Sequence, residues 1–244
     1  MIKDAMATLA LAFVPCPKLT LPLPAERIAH VWKVDLEEAR DPILSPDEQT
    51  RAQTMRHSEK QRHFIRARSA LRLILAKYTG LSPADIPLAT ATEGKPHLDL
   101  AHAPHFNLTH AHGKALVAVA RVPVGIDLEF PRPVRQLDQL VADYFSSAEA
   151  RDWASLDEED RARAFLGAWT RKEAFLKATG EGIAGGLHRF DVSLLPDEEA
   201  RLKAIDGDVQ AAASWTLHAF TPFENAQAAI CLAAPNMSLL GFTL

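Results

Sequence analysis

The chain has 244 residues, enough for one large domain or two small ones, each with its own core. Hydrophobic residues make up 48% and charged residues 24%, as in a folded globular protein, and a net charge of −4 gives no overall field to attract nucleic acid. Cys16 and Cys231 lie near opposite ends without metal-binding spacing, so we expect a reducing compartment, the cytoplasm. The apolar residues 5–14 are too few to span a bilayer and lack a clean cleavage site, which favours a leading segment or first strand.

The first elements predicted along the chain are a strand and two helices. Prolines at positions 15, 17, 22 and 24 keep the early chain extended, and residues 28–34 have the alternation of a strand. Ser45 and Glu48 are typical of a capping box at the start of a helix. A longer helix is predicted over residues 58–78, ended by Gly80, with arginines at positions 62, 66, 68 and 72. A basic helix face is usually solvated, but it also suits an acidic ligand.

Three apolar segments then follow one another closely and predict an antiparallel meander. They are residues 106–110, 116–120 and 124–130, joined by short connections. Helices are predicted next over residues 136–144, from a capping box at Ser146 and Glu149, and over 158–178 up to Gly180. The remaining strands are predicted at residues 190–194, 215–220, 228–233 and 239–244.

The order of helices, strand and meander recurs along the chain. We therefore predict an α+β fold that is a pseudo-dimer of two similar halves, residues 1–122 and 123–244, with the seam near residues 121–124. Each half is expected to be an antiparallel sheet packed with helices. No sequence repeat is visible, so this division depends on the order of elements alone.

The strand predicted at residues 124–130 places two carboxylates on one face. Side chains two residues apart on a strand point the same way, so Asp127 and Glu129 lie beside Gly125, opposite the apolar face. Two such negative charges repel each other, and a hard divalent cation such as Mg²⁺ is the usual resolution. The simpler interpretation is an edge strand with a solvated acidic face.

The helix predicted at residues 158–178 contributes a third carboxylate. Phe165, Trp169 and Leu176 form its apolar stripe, and Glu173 falls on that stripe, with Lys177 one turn beyond. A surface Glu–Lys pair would be worth only about 0.3–0.5 kcal/mol and does not explain why the carboxylate faces inward. A carboxylate in that position needs a charged partner or a metal.

Together these residues suit a magnesium-assisted attack on a phosphate. Such a reaction needs carboxylates, here Asp127, Glu129 and Glu173, and lysines, and its metal clamps phosphate oxygens and neutralises their charge. The lysines Lys172 and Lys177 would stabilise the departing phosphate, and a carboxylate that the metal does not fully occupy would act as the base.

Five segments of the chain, taken in order, resemble the 4′-phosphopantetheinyl transferases of the larger, surfactin-synthetase-activating (Sfp-like) type. They are residues 66–72 (RARSALR), 94–96 (GKP), 106–110 (FNLTH), 124–129 (VGIDLE) and 165–178 (FLGAWTRKEAFLKA). Each is a weak signal alone, but all five occur in the order of the family between residues 51 and 182. The resemblance implies the pseudo-dimeric fold of that family, with coenzyme A bound between the halves.

The resemblance also implies the reaction and the residues that perform it. The phosphopantetheine arm of coenzyme A would move to a serine of an apo acyl- or peptidyl-carrier protein, leaving adenosine 3′,5′-bisphosphate. Asp127, Glu129 and Glu173 would hold Mg²⁺, or Mn²⁺, on the pyrophosphate. Glu173 would also take the proton of the serine, and Lys177 would meet the leaving group.

The remaining implied contacts involve the ligand phosphates and the adenine. The phosphates would be bound by Arg51, Arg68, Lys95, His110 and Lys172, with Pro96 near the adenine. The hydroxyl of Thr109, where many relatives have serine, would bind a phosphate as well. Glu149 matches a further acidic position that the family has near the site.

Two other functional classes remain open from the sequence. The same acids could serve a magnesium-dependent phosphohydrolase or nuclease, although the chain lacks a concentrated basic groove. The chain could also bind coenzyme A or a carrier protein without catalysis. For the transferase, the expected partners are coenzyme A and the carrier protein, without nucleic acid or membrane, and the expected state is a monomer.

Overall fold

The structure is a computed structural model that describes residues 9–91, 94–182, 186–196 and 198–244. The fold is α+β, as predicted. The helices are α1 (Pro46–Gln53), α2 (Ser58–Thr79), α3 (Leu137–Tyr144), α4 (Ser147–Ala154), α5 (Glu158–Thr179) and α6 (Val209–Ala213). The strands are β1 (Phe13–Pro15), β2 (Ile28–Asp35), β3 (Leu88–Thr90), β4 (Pro96–Leu98), β5 (His105–Ala111), β6 (Lys114–Ala120), β7 (Val124–Glu129), β8 (Phe190–Val192), β9 (Leu202–Ile205), β10 (Thr216–Phe220), β11 (Gln227–Leu232) and β12 (Ser238–Thr243).

The helix ends follow the sequence signals closely. Capping boxes are present at Ser45 with Glu48 and at Ser146 with Glu149. Both long helices, α2 and α5, have 22 residues and end at a glycine in the left-handed conformation. Of the apolar residues 5–14, the first four lie outside the described residues, and β1 begins at Phe13. No helix within the described ranges is long and apolar enough to span a membrane.

Two main sheets carry the two long helices. The larger has the strand order β1-β12-β2-β6-β5, and the smaller has the order β10-β11-β7. Helix α2 packs on the larger sheet through Leu71, Ile74 and Leu75, while α5 packs on the smaller through residues such as Phe175. A third apolar cluster, which includes Leu116 of β6 and residues of β7 and β11, joins the two sheets. Each sheet therefore has one face against a helix and the other toward its neighbour.

Three sequence predictions about the sheets need correction. The larger sheet is mixed rather than antiparallel, because β12 runs parallel to both β1 and β2. Of the strands in the two main sheets that follow residue 123, β7, β10 and β11 form the smaller sheet, but β12 joins the larger one. The predicted boundary at residues 122/123 therefore does not separate the two sheets completely. The meander is also wrong in its third strand: β5 pairs with β6, but β7 pairs with β11. Both edges of β6 are occupied, by β2 and β5, so β7 must find a partner elsewhere.

Strand β7 touches the backbone of helix α5 at Gly125. A β-carbon built on Gly125 would lie 2.1 Å from the carbonyl oxygen of Ala174 and 2.3 Å from the backbone nitrogen of Ala178. No side chain fits there, so glycine allows strand and helix to approach more closely than any other residue would. This contact fixes the position of Asp127, on the strand, relative to Glu173 and Lys177 on the helix.

We expect Gly125→Ala to lower the free energy of unfolding by about 3 kcal/mol or more, because the added methyl group meets backbone atoms that cannot move aside. For a chain of this size the melting temperature should fall by about 6–12 °C. The control is Gly207→Ala, where nothing lies within 4 Å and the cost comes only from φ = +81°, about 1–2 kcal/mol. Thermal denaturation of both variants measures the difference. A Gly125→Ala protein as stable as the control would contradict the packing described.

Candidate active site

Two adjoining cavities form a cleft at the junction of the two sheets. One has a volume of about 280 Å³, the other about 190 Å³, and both are lined by Pro96 and Asn107. The larger is lined in addition by Gly94, Lys95, Glu173, Leu176, Lys177, Gly180 and Gly182. The smaller is lined in addition by Arg51, Phe64, Ala67, Arg68, Phe106, Leu108 and His110. Eight residues singled out in the sequence therefore lie on or beside this cleft: Arg51, Arg68, Lys95, Pro96, Thr109, His110, Glu173 and Lys177.

The smaller cavity is electropositive, and we call it the cation pocket. Arg51 lies at the end of α1 and Arg68 in the middle of α2, and their guanidinium carbons lie 5.3 and 5.8 Å from the centre of the Phe64 ring. Burial lowers the pKa of Arg68, Glu48 opposes this, and Arg51 and Arg72 lower it further. Arginines held near each other and partly removed from water suit a ligand with a negative charge.

His110 completes the cation pocket from strand β5. Its pKa is lowered, first by burial and then by the neighbouring positive charges of His63, Lys177 and Arg68. The imidazole is therefore harder to protonate than an ordinary histidine. An anion bound beside it would reverse that effect, because an opposite charge favours the protonated form.

The larger cavity borders an acidic cluster centred on Asp127. Asp127 is only 4% exposed, and its Oδ1 receives hydrogen bonds from the Lys177 ammonium at 2.5 Å and the Thr109 hydroxyl at 3.3 Å. Lys177 also approaches the oxygen of the Thr109 hydroxyl, at 3.4 Å. The other oxygen, Asp127 Oδ2, is buried without a hydrogen-bond partner among the described residues. An unsatisfied buried carboxylate oxygen is costly and calls for a cation or a water molecule.

The negative charge of Asp127 acts on both Glu129 and Glu173. Burial is the main cause that raises the pKa of Glu129, and Asp127 raises it further. Burial likewise raises the pKa of Glu173; Lys177 opposes this, while Asp127 and Glu129 add to it. The three carboxylates are therefore close enough to repel one another, as the sequence predicted, and the acidic face of β7 is covered rather than solvated.

The described residues fit a hard cation, although they are not closed around one. No group of three or more His, Cys, Asp or Glu side chains within the described ranges is already arranged as a metal site. The partnerless Oδ2 of Asp127 and the raised pKa values of Glu129 and Glu173 are nevertheless what an oxygen-ligand site for a divalent cation shows before the ion binds.

Lys95 ties the N-terminal part of the cleft to both elements that carry the acids. Its ammonium donates to the carbonyl oxygen of Val124 at 3.0 Å and to that of Ala178 at 3.1 Å, at the start of β7 and near the end of α5. Burial lowers the pKa of Lys95 to about 8. The lysine is thus partly desolvated, on the wall of the larger cavity.

The prediction that Lys172 binds the ligand needs correction. Its side chain is fully buried, and its ammonium donates to Leu187 and Phe190 carbonyl oxygens, both at 2.7 Å, and pairs with Glu149 at 2.8 Å. Adjacent helix residues point about 100° apart, so when Glu173 faces the cleft Lys172 faces β8. Glu149 is equally buried: it caps α4 and accepts a hydrogen bond from the Val192 N–H. The two form an internal ion pair away from both cavities.

Sequence reasoning assigned no role to Asn107, which the structure places at the junction of the two cavities. Asn107 is 7% exposed, and its side-chain Oδ1 accepts a hydrogen bond from the Ile126 N–H at 2.9 Å. It lies in the segment 106–110 that carried part of the family resemblance. Its contact with Ile126 arises only where β5 meets β7, so no local pattern in the sequence identified it.

The comparisons with known proteins agree with this geometry. Residues 123–231, which include β7 and α5, match the 4′-phosphopantetheinyl transferase superfamily. The chain is 36% identical to the 4′-phosphopantetheinyl transferase HetI of a Nostoc species, over 84% of this chain and 87% of that one. It is 27% identical to the 4′-phosphopantetheinyl transferase Sfp of Bacillus subtilis, over 67% of this chain and 72% of that one. With its acids and lysine set in a cleft beside basic residues, the chain belongs to the 4′-phosphopantetheinyl transferases, of the Sfp-like type, which confirms the resemblance and makes the protein an enzyme.

We expect Mg²⁺ to stabilise the protein at pH 7.5 and progressively less as pH falls through the raised pKa values of Glu129 and Glu173. Since the pKa values of Glu129 and Glu173 are raised in the folded state, the fold is weakened as pH rises through them. That cost is fully present above the folded pKa values, where Mg²⁺ relieves it. At about ten times its dissociation constant, Mg²⁺ should add about 1.4 kcal/mol, or about 3–5 °C in melting temperature.

Thermal denaturation of Glu129→Gln tests the assignment. The variant should be at least as stable as the parent without metal and should lose most of the Mg²⁺-dependent rise. Glu59→Gln, on the exposed start of α2, should keep the rise in full. A Glu129→Gln protein that responds to Mg²⁺ like the parent would place the cation elsewhere.

Proposed function

We propose that the protein transfers the 4′-phosphopantetheine arm of coenzyme A to a serine hydroxyl of an apo acyl- or peptidyl-carrier protein, with Mg²⁺, and releases adenosine 3′,5′-bisphosphate. One observation carries the proposal: the cation pocket and the cavity beside Asp127 and Glu173 adjoin and share two lining residues, Pro96 and Asn107. A nucleotide-type ligand with phosphates at two points matches such a pair of sites. Membership of the transferase family favours this reaction over a nuclease or a non-catalytic binder.

The cation pocket would bind the 3′-phosphate end of coenzyme A. Arg51, Arg68 and His110 supply charged or chargeable donors around one cavity, and arginine pairs well with phosphate oxygens. Pro96 and the apolar wall of the pocket provide a surface for the adenine. Lys95, on the larger cavity, would exchange its two backbone carbonyl partners for an oxygen of the pyrophosphate.

The acidic end of the cleft would perform the transfer. The serine oxygen of the carrier attacks the phosphorus that bears the pantetheine arm, and the bond from that phosphorus to the bridging oxygen breaks. The serine proton passes to Glu173, directly or through water, and burial raises the pKa of this carboxylate toward the range of a general base. Lys177, with Thr109 beside it, would stabilise the negative charge that develops on adenosine 3′,5′-bisphosphate.

Asp127, Glu129 and Glu173 are the residues that would hold Mg²⁺, with Mn²⁺ as an alternative ion. A divalent cation held there would neutralise negative charge on the pyrophosphate. The two oxygens of Asp127 would have different roles. Oδ2, which has no partner among the described residues, would bind the cation. Oδ1 would keep its ion pair with Lys177. Because the whole site is built from one chain, we propose that the protein acts as a monomer, and that it acts in the cytoplasm.

We expect Glu173→Gln to lower kcat by about 10²–10⁴-fold and to change KM for coenzyme A much less. Glutamine keeps the size and hydrogen bonding of the side chain but cannot accept the serine proton. The melting temperature should hold or rise, because a partly buried negative charge is removed. Intact-mass spectrometry of an apo carrier over time, with the protein, coenzyme A and Mg²⁺, measures the rate.

The matched control is Glu158→Gln, the same chemical change on the exposed first turn of the same helix. It should leave kcat at the parent value. If Glu173→Gln loads the carrier as fast as this control, Glu173 is neither base nor metal ligand, and the proposed chemistry is wrong.

A further inference from the structure

Asn107 is the residue through which the two cavities and the metal-binding strand meet. Strand β7 is the outer strand of the smaller sheet, so the N–H of Ile126 on its free edge has no strand partner. Asn107 Oδ1 accepts that N–H at 2.9 Å across the junction between the two sheets. Ile126 is the immediate neighbour of Asp127, so Asn107 holds the backbone that carries the central carboxylate.

This hydrogen bond fixes which way the amide points. Only the side-chain oxygen of an asparagine can accept a hydrogen bond from a backbone N–H, so the NH₂ group of Asn107 is directed away from β7. The described residues supply no acceptor for that NH₂ group. Asn107 lines both cavities. The two N–H donors are therefore available to a ligand that passes from one cavity to the other.

The charges on either side indicate what such a ligand presents at that point. Arg51, Arg68 and His110 lie in one cavity, which recruits an anionic group directly. In the other cavity Lys95 and Lys177 lie beside Glu173, so it recruits an anionic group together with the proposed cation. A neutral amide between them adds no charge but would orient the anionic group, since a hydrogen bond to a charged acceptor is strongest in a narrow range of geometry.

We propose that Asn107 binds a pyrophosphate oxygen of the ligand through its NH₂ group while its carbonyl positions the strand of Asp127. The proposal rests on the function proposed above and assigns a further binding and positioning residue for that reaction. One side chain would then connect ligand binding to the placement of the metal-binding carboxylate. A purely structural asparagine would serve only the second of these roles.

Asn107→Asp separates the two roles. Aspartate keeps an oxygen for the Ile126 N–H but has no N–H to donate. Its charge is partly removed from water and lies near Asp127, so the melting temperature should fall, and binding is measured at a temperature where circular dichroism shows the variant to be folded. Calorimetric titration should show coenzyme A binding weakened by about tenfold to a hundredfold, the range for a hydrogen bond to a charged group. Asn107→Leu, which loses both groups, should be less stable and bind equally poorly.

Adenosine 3′-phosphate, which lacks the pyrophosphate, controls for the added negative charge of the aspartate. Both ligands meet the added charge, because Asn107 also lines the cation pocket. Only coenzyme A presents a pyrophosphate oxygen to the lost NH₂ group, so Asn107→Asp should weaken coenzyme A binding about tenfold more than adenosine 3′-phosphate binding. Arg68→Ala, in contrast, should weaken both ligands. Equal losses for both ligands in Asn107→Asp would mean a general charge effect and would overturn the proposal.

The outcomes also distinguish this proposal from the function on which it rests. If the parent protein does not bind coenzyme A, the proposed function fails. If the parent binds it and Asn107→Asp binds it equally well, only the role of Asn107 fails. Should the variant not fold, the side-chain amide signals of Asn107 in ¹H–¹⁵N spectra of the parent decide: they should shift when coenzyme A is added, and unchanged signals would overturn the proposal.

Discussion

The close approach of strand β7 to helix α5 at Gly125 is the constraint on which the site depends. Because Gly125 has no β-carbon, the strand lies closer to the helix backbone than it could with any other residue at that position. Asp127, two residues along the strand, then comes within 2.5 Å of Lys177 on the helix. Glu173, one turn before Lys177, faces the same space. The charged groups are therefore placed by the backbone itself, and their mutual repulsion is resisted by the packing of strand on helix.

At one end of the cleft the carboxylates have too few positively charged partners, and at the other end the basic side chains have too few negatively charged ones. At the acidic end, carboxylates that are partly removed from water lack a full complement of positive charge, and one oxygen of Asp127 has no partner among the described residues. At the other end, Arg51, Arg68 and His110 are gathered in one cavity, and the pKa values of the last two are lowered. A phosphate group satisfies the second end, and a divalent cation satisfies the first. Binding a metal and a phosphorylated ligand together would relieve both costs.

Local chemistry made much of this arrangement predictable. Capping residues and glycines defined the helices, strand alternation put Asp127 and Glu129 on one face, and a carboxylate on an apolar stripe identified Glu173. The sheet topology was less predictable, because alternation does not specify a partner: β7 was expected beside β6, whose two edges are both taken. Lys172 was misassigned because α5 is buried on several sides, so the direction of each side chain depends on the surrounding fold. Local patterns could not reveal Asn107 either, since its role arises only where two sheets meet.

The central claim is that this cleft transfers phosphopantetheine to a carrier protein with the help of a divalent cation. The most direct measurement is the intact mass of a panel of apo carriers after incubation with the protein, coenzyme A and Mg²⁺, with a chelator in the parallel reaction. We expect that at least one carrier gains the mass of one phosphopantetheine, that adenosine 3′,5′-bisphosphate appears in equal amount, and that the chelator prevents both. Carriers that stay unmodified, or a reaction that proceeds at full rate without a divalent cation, would contradict it.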